Sequence, residues 1–391
     1  MTNKLAILGG KPISVKKLVK PSPIGKPEIN AVMRVLNKGI LSKAGRGENV
    51  KTFEREFAQF HNLKYAITTT SGTTALHTAI CALNIKKGDE ILVPDLTFVS
   101  SASVFLQQQA TPIFVDIDTT TFCIDTADME KKITEKTKAI IVVHLYGHPV
   151  EINTIIKIAK KHNLKIIEDC AQSHGAKYKG QYVGTFGDIA CFSFYQTKNL
   201  TCGEGGMVLT NNEKLFKSCS SIVDHGLIDG NLQGYDYDRL GYNYHMTEIQ
   251  AAIGIEQLKK LKRMNKQRAN NANKYKKILK DTGLIFQDDN KNIDHVYYAL
   301  TALLPEKFKN KRDWFVDAAR TEGVEINKIY PKPLHEAKLF SSFGKKNQCP
   351  NASNITTRLF NFYTNPGVTD NYIKLTCEAV KKVLNYLNDK K

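Results

Sequence analysis

EILVPDLTFVSSASVFLQQQATPIFV, Glu90 to Val115, is the stretch whose reading decides the fold. Glu90–Pro94 is a short apolar run of the kind found in buried strands, Val99–Gln108 spaces its apolar residues as a helix does, and Pro112–Val115 is β-rich again. Strand, helix and strand in succession make a βαβ unit, and the intervening helix carries the chain back so that the two strands run parallel. The alternation extends both ways. Upstream, β-rich Ala66–Thr70 precedes SGTTALHTAICAL from Ser71, with helical spacing and a turn at Gly88 and Asp89. Downstream, an amphipathic stretch near Met129–Ile133 leads into AIIVVHL, Ala139 to Leu145, a nearly continuous apolar run suited to a strand buried on both faces. Ile152–Ala159 reads as helix, Lys165–Glu168, Ile189–Phe194 and Met207–Thr210 as strands, and Glu213–Ser221 as helix. The pattern specifies an α/β fold with a mainly parallel sheet covered by helices.

From Met246 to about Leu279 the pattern is helical and strongly charged, with TEIQAAIGIEQLKKLKRM at its centre. The change of domain is placed inside this segment, near Ile255. That gives a large α/β domain over residues 1–255 and a smaller α+β domain over residues 256–391. In the latter, VYYALTALL is a strand candidate and TCEAVKKVLNYL a closing helix, while the polar stretch Gly344–Ala352 reads as an exposed loop.

The 391 residues suit about two or three domains or one large and one small. With 42% hydrophobic and 24% charged residues the chain has enough apolar mass for a core, which excludes disorder as its main state. Charges interrupt every apolar run before the roughly 20 residues of a membrane span, and the N-terminus, MTNKLAILGGKPISVKK, turns basic too early for a secretory signal. The 8 cysteines show no C-x-x-C spacing, and several sit in apolar runs such as IACFSF. They read as buried free thiols of a cytoplasmic protein, with neither a disulfide framework nor a metal site. A net charge of +18 favours anionic partners, a phosphate-bearing cofactor or substrate among them; the lysines are spread along the chain, so heavy general use of lysine is the favoured reading. No Lys/Arg cluster interleaves with aromatics, so nucleic acid is not an expected partner.

In an open α/β sheet, ligands gather at the carboxyl ends of strands beside helix N-termini. Ser71-Gly72-Thr73-Thr74 sits at such a junction, where small residues and hydroxyls admit an anion to the backbone N–H groups; a plain N-cap fits the same residues. In IIEDCAQSHGA, Asp169 follows a strand. It is either a turn former or the partner of a protonated ring nitrogen, with Gln172 in reach of a second polar atom of that ring, and His174 reads as satisfying a local hydrogen bond. The third segment, CFSFYQTKNLTCGEGG, Cys191 to Gly206, delivers Ser193 from a strand and Lys198 from a polar loop, with Gly203, Gly205 and Gly206 where backbones must approach closely. Most lysines are solvated surface charges. This one is flanked by an apolar strand and a glycine turn, where desolvation and a nearby cation favour the neutral, nucleophilic amine.

These segments, with GDE-ILVPDLTF, VVHLYGHPVEI and GYNYHMTEIQAAIG, stand in the order and spacing of the DegT/DnrJ/EryC1 family, which the chain resembles from about Pro21 to Leu261 and more weakly through YPKPLH, Tyr330 to His335. The resemblance implies a fold-type-I aminotransferase dependent on pyridoxal 5′-phosphate (PLP, aminated as PMP). It makes Lys198 the Schiff-base lysine and catalytic residue, pairs Asp169 with the pyridine nitrogen and Gln172 with the phenolic oxygen, and stacks Phe98 on the ring. Gly72, Thr73 and Ser193 would hold the phosphate, and Asn243 would reach it from the neighbouring subunit, which implies a homodimer with shared sites.

The implied acceptor is a keto sugar, foremost a nucleotide-linked one, with L-glutamate as amino donor; a keto-polyol, a cyclitol or a small phosphorylated ketone is the alternative. Tyr330 and His335 are candidate pocket residues. His245 departs from the family, whose members commonly carry Arg there, and puts an anion contact in doubt. FNFYTNPGVT, Phe360 to Thr369, replaces a Leu-Pro-containing stretch, and LAILGGKP, Leu5 to Pro12, is similar to a subgroup acting on cyclitols. Related sugar dehydratases carry His in place of the lysine, so Lys198 argues against that class. A non-catalytic sensor on the same fold is the reading from another class; Lys198, Asp169 and Ser193 occurring together argue for the enzyme.

Overall fold

The computed structural model describes residues 4–14, 23–42, 47–228, 236–288, 290–345 and 347–389. Pro21, where the family resemblance begins, lies outside them. Two helices, α1 (Lys26–Lys38) and α2 (Asn49–Phe60), precede an alternating series. The series runs β1 (Tyr65–Thr69), α3 (Gly72–Ala82), β2 (Glu90–Pro94), α4 (Ser100–Gln107), β3 (Thr111–Val115), α5 (Thr126–Lys131), β4 (Thr137–Val143), α6 (Ile152–Lys161) and β5 (Lys165–Asp169). A short hairpin, β6 (Lys177–Tyr178) and β7 (Gln181–Tyr182), interrupts it before β8 (Ile189–Ser193), β9 (Gly206–Thr210) and α7 (Glu213–Val223).

Seven strands form one sheet in the order β1-β9-β8-β5-β4-β2-β3. Neighbours from β8 through β3 pair in parallel, and β9 pairs antiparallel with both β8 and β1. All strands but β9 therefore point the same way. The carboxyl ends of β1, β2, β5 and β8 open on one edge, where Ser71, Phe98, Asp169 and Ser193 lie. The central strands have apolar middles because both faces are covered, and Ile140, Ile141 and Val142 of β4 are fully buried. On one face Phe57 of α2 packs edge-on to Phe192 and Phe194, with ring centroids 5.0 and 5.5 Å away.

After α7 comes α8 (Glu248–Leu279), a helix of 32 residues opened by a capping box between Thr247 and Gln250. Its first half packs Ala251, Leu258 and Leu261 into the core shared with α2, and its second half packs Ala272, Tyr275 and Leu279 into a separate C-terminal core. Ile255 lies within this unbroken helix. The C-terminal part holds β10 (Ile285–Phe286), β11 (Ile293–Asp294), β12 (Leu300–Leu303), α9 (Arg312–Thr321), β13 (Ile326–Asn327), α10 (Pro350–Thr356), β14 (Leu359–Phe362) and α11 (Asp370–Asp389). Four of these strands form an antiparallel sheet, β10-β12-β14-β13, and β11 joins the β6–β7 hairpin.

Two expectations need correction here. VYYALTALL is strand only over Leu300–Leu303, because the N–H groups of Val296 and Ala299 are spent on Gly147 and Tyr146 carbonyls of the large sheet's edge. Gly344–Ala352 is not an exposed loop throughout: Cys349 and Ala352 are fully buried, and Pro350 starts α10. The Asp116 carboxylate accepts the N–H groups of Asn351 and Ala352 at 2.9 Å, a cap supplied from far away in sequence.

No helix among the described residues is long and apolar enough to cross a membrane. All 8 cysteines are free, and all but Cys81 are buried. Phe57→Ala empties the centre of the aromatic cluster and should cost about 3–5 kcal/mol, read as a lower urea midpoint at unchanged slope.

Candidate active site

The side chains the sequence singles out converge on the edge where parallel strands end. Asp169, the last residue of β5, is only 5% exposed. Its carboxylate accepts the Ser101 hydroxyl at 2.7 Å and the Ala171 N–H at 3.0 Å, and forms no ion pair among the described residues. Burial pushes the Asp169 carboxyl up, opposed by those two hydrogen bonds and by the charge of Lys198. Beside it on β5, Glu168 is fully buried but well satisfied, accepting N–H groups from Gly184, Phe186 and Gly187 and the His144 ring. The Val150 N–H points at His144 Nδ1, so Nε2 carries the proton toward Glu168. Burial pushes the Glu168 carboxyl up, but His144 and the N–H groups outweigh it and hold the group below the usual carboxylate range. The two neighbouring carboxylates thus differ: Glu168 has its partners inside the fold, and Asp169 lacks a cation.

Lys198 projects from the loop between β8 and β9. The loop is pinned at Asn199, whose amide donates to Asn265 Oδ1 and the Val296 carbonyl, and closed by Phe194 N–H to Gly205 O at 2.8 Å. Lys198 Nζ lies 4.8 Å from the ring centroid of Tyr298, and the Tyr298 hydroxyl meets Thr197 Oγ1 at 2.9 Å. His174 packs between Phe192 and Phe194; burial first, then the Lys198 charge, lower its pKa to about 3, so the ring is neutral.

Ser193 ends β8, opposite the N-terminus of α3. Ser71 caps that helix with its Oγ on the Thr74 N–H. A Cβ built on Gly72 would come within 2.6 Å of Ser193 Cβ, and one on Gly206 within 2.2 Å of the Ser71 carbonyl. Only glycine lets the helix start this close to β8 and β9. Thr73 Oγ1 meets Ser100 Oγ at 2.8 Å, so hydroxyls and helix N–H groups crowd one small region.

Gln172 is fixed by its Oε1, which accepts the Tyr146 N–H at 2.8 Å, and its Nε2 donates to the Tyr330 hydroxyl at 2.9 Å. Burial drives the Tyr330 phenol well above its ordinary range, so it stays protonated. Phe98 is 52% exposed, its ring 6.2 Å from that of Tyr330. Asp169, Lys198, Ser193, Gly72, Thr73, Gln172, Phe98 and Tyr330 are thus all carried to this edge.

Asn243 and His245 are not tied to them by any hydrogen bond or ring contact within the chain, among the described residues. Asn243 is exposed and bridges Asp224, and His245 Nε2 lies 3.0 Å from Asp224 Oδ1. His335, expected at a substrate pocket, is 7% exposed, with its ring on Asp95 at 2.5 Å. The reading of single motifs missed Ser101, Tyr298, Tyr146 and the His144–Glu168 pair. The serines following PDLTF at a strand end were a signal for Ser101; nothing local marked Tyr298.

The sequence profile of the DegT/DnrJ/EryC1/StrS aminotransferase family matches residues 23–381. The chain belongs to that family. A GDP-perosamine synthase of Escherichia coli O157:H7 is 38% identical over 93% of this chain and 97% of its own length. An aminotransferase structure from Psychrobacter cryohalolentis is 33% identical, with a TM-score of 0.88 over 95% of this chain and all (100%) of that one. A sugar aminotransferase named Spr1654 from Streptococcus pneumoniae, solved in a PMP form, is 25% identical, with a TM-score of 0.90 over 96% of this chain and 100% of that one.

The residues present fit PLP. Asp169 is a buried carboxylate short of a cation, which a protonated pyridine nitrogen supplies, and the Gly72–Ser193 approach leaves N–H groups and hydroxyls for a phosphate. Gly72→Val should weaken PLP binding, followed by absorbance titration, by at least about tenfold while the circular dichroism of the fold is unchanged.

Proposed function

We propose that this protein uses PLP to move an amino group from an amino acid, L-glutamate first, to a keto sugar carried on a nucleotide. The observation that carries this reading is that Lys198 lies near enough for its charge to act on Asp169, a buried carboxylate with no ion pair among the described residues, at one strand edge. Bound PLP supplies an aldehyde to take up the amino group and a ring to receive electrons.

The chain's own residues do the rest. Lys198 would hold the cofactor through its side-chain nitrogen, and its amine, when neutral, would be the base that takes up and returns the proton at the substrate carbon. Asp169 keeps a proton on the ring nitrogen, helped by burial, which makes a lone carboxylate costly and a charge pair favourable. Gln172, whose Nε2 donates to the Tyr330 hydroxyl, would offer that amide to the phenolic oxygen. The α3 N-terminus, Gly72, Thr73 and Ser193 anchor the phosphate. Phe98 and Tyr330, their rings 6.2 Å apart, would keep water off the cofactor ring.

The exposure of Asn243 supports its being lent to a partner subunit in a homodimer, with His245 beside it. Residues 1–255 would form the cofactor-binding domain and residues 256–391 the covering one. Free, buried cysteines support a cytoplasmic setting. The name of the Escherichia coli relative supports a nucleotide-linked acceptor.

Two measurements check this. Borohydride reduction of the PLP-loaded protein should fix the cofactor mass to the peptide containing Lys198, and Lys198→Ala should lose at least about 10³-fold in turnover. Adding keto substrates to the glutamate-reduced enzyme should restore the visible absorbance with a nucleotide-linked keto sugar and not with a free cyclitol ketone. A colourless protein indifferent to PLP would contradict the proposal.

A further inference from the structure

The segment from Ile329 to His335 crosses from the C-terminal sheet to the edge of the large one, and each of its ends is fastened. At its start the Ile329 N–H donates to Asn361 Oδ1 at 2.7 Å and the Ile329 carbonyl accepts the Tyr146 hydroxyl at 2.5 Å. In its middle Pro331 and Pro333 stiffen the backbone around Lys332. At its end Asp95, fully buried just past β2, takes every polar group on offer: its carbonyl accepts the Leu334 N–H, Oδ1 accepts the His335 N–H at 2.8 Å, and Oδ2 meets His335 Nδ1 at 2.5 Å. Asp95 heads the loop that carries Phe98, and His335 closes the arm that carries Tyr330. Those two rings face one another at 6.2 Å beside Gln172.

We infer that the Asp95–His335 pair is a latch that positions Phe98 and Tyr330 against the cofactor ring, and that it holds most firmly while both ring nitrogens of His335 carry a proton. His335 is thus a positioning residue, touching neither substrate nor cofactor. The inference rests on the proposed function above. It differs from ordinary core packing because an apolar contact would not depend on pH, whereas this one joins two loops by an imidazolium and a carboxylate.

The groups facing His335 agree in sign. Asp95 binds it, Glu336 Oε1 lies 3.8 Å from Nε2, and Asp116 adds negative charge from β3's end. Cys349 is a buried thiol whose pKa burial raises, and Lys132, 3.9 Å from that sulfur, is paired with Asp128. The Asp95 hydrogen bond, against burial, holds the imidazolium above the ordinary histidine range, aided by Glu336 and Asp116. Because the folded-state pKa is raised, the charge contribution to the latch is complete below the ordinary histidine pKa and is lost as pH climbs through the raised one, leaving a neutral hydrogen bond to Asp95.

Asn at position 335 keeps a donor near the place of Nδ1 and does not titrate. With the PLP-loaded enzyme, His335→Ala should slow the single-turnover loss of absorbance on adding L-glutamate by about tenfold and diminish the visible circular dichroism of the bound cofactor. His335→Asn, which keeps a neutral donor, should recover the rate to within about threefold and lessen the fall in rate expected of the wild type as pH climbs through the raised histidine pKa. In the apoprotein, Tm should drop between pH 6 and pH 9 more in the wild type than in His335→Asn. Wild-type rate and dichroism in His335→Ala, or an alkaline fall unchanged in His335→Asn, would overturn the latch. If His335→Ala does not fold, the Asn variant decides alone. A wild type that takes up no PLP would instead overturn the functional reading, and the apoprotein comparison would still judge the pair.

Discussion

A carboxylate buried without a cation is the constraint around which the site is built. Asp169 is removed from water, and its hydrogen bonds from Ser101 and Ala171 compensate only part of that cost. A fold keeps such a group only where something else returns the difference. Here the return is binding: a ligand that brings a positive charge to Asp169 gains the interaction that the empty fold forgoes. Glu168, next in the chain, shows the alternative, since it is equally buried and has its partners built in.

Everything that positions this carboxylate is a property of the sheet. Because β1, β2, β5 and β8 are parallel, their carboxyl ends share an edge, and four segments distant in sequence deliver Ser71–Gly72, Asp95–Phe98, Asp169–Gln172 and Ser193 together. The single antiparallel strand β9 lets the Lys198 loop fold back on itself between β8 and β9. The glycines then set the distances: a side chain at 72 or 206 would push α3 off the strand ends. The C-terminal part closes the site with Tyr330 and Tyr298, and α8, being one rigid helix in both cores, relates the two parts.

What the sequence made legible follows a physical divide. The βαβ series was readable because periodicity is a local property, and EILVP is a strand over the very residues that read as one. The placing of Asp169 and Ser193 at strand ends and of Lys198 in the loop after β8 was readable from the same local pattern. The misses are matters of long-range contact. Gly344–Ala352 is polar and reads as loop, yet Asp116 caps a helix there from another part of the chain. His335 looked like a pocket residue because imidazoles serve in pockets, and no local pattern could reveal that Asp95 would meet it. VYYALTALL was overread for the same reason, with the N–H groups of Val296 and Ala299 already committed to Gly147 and Tyr146.

The most direct measurement is ¹⁵N NMR of PLP labelled at its pyridine nitrogen and bound to the protein. The account predicts a protonated nitrogen that stays protonated well above the pH at which the free cofactor loses that proton, and loses it readily in Asp169→Asn. A bound cofactor whose ring nitrogen is neutral at pH 7, or whose titration is indifferent to residue 169, would contradict it.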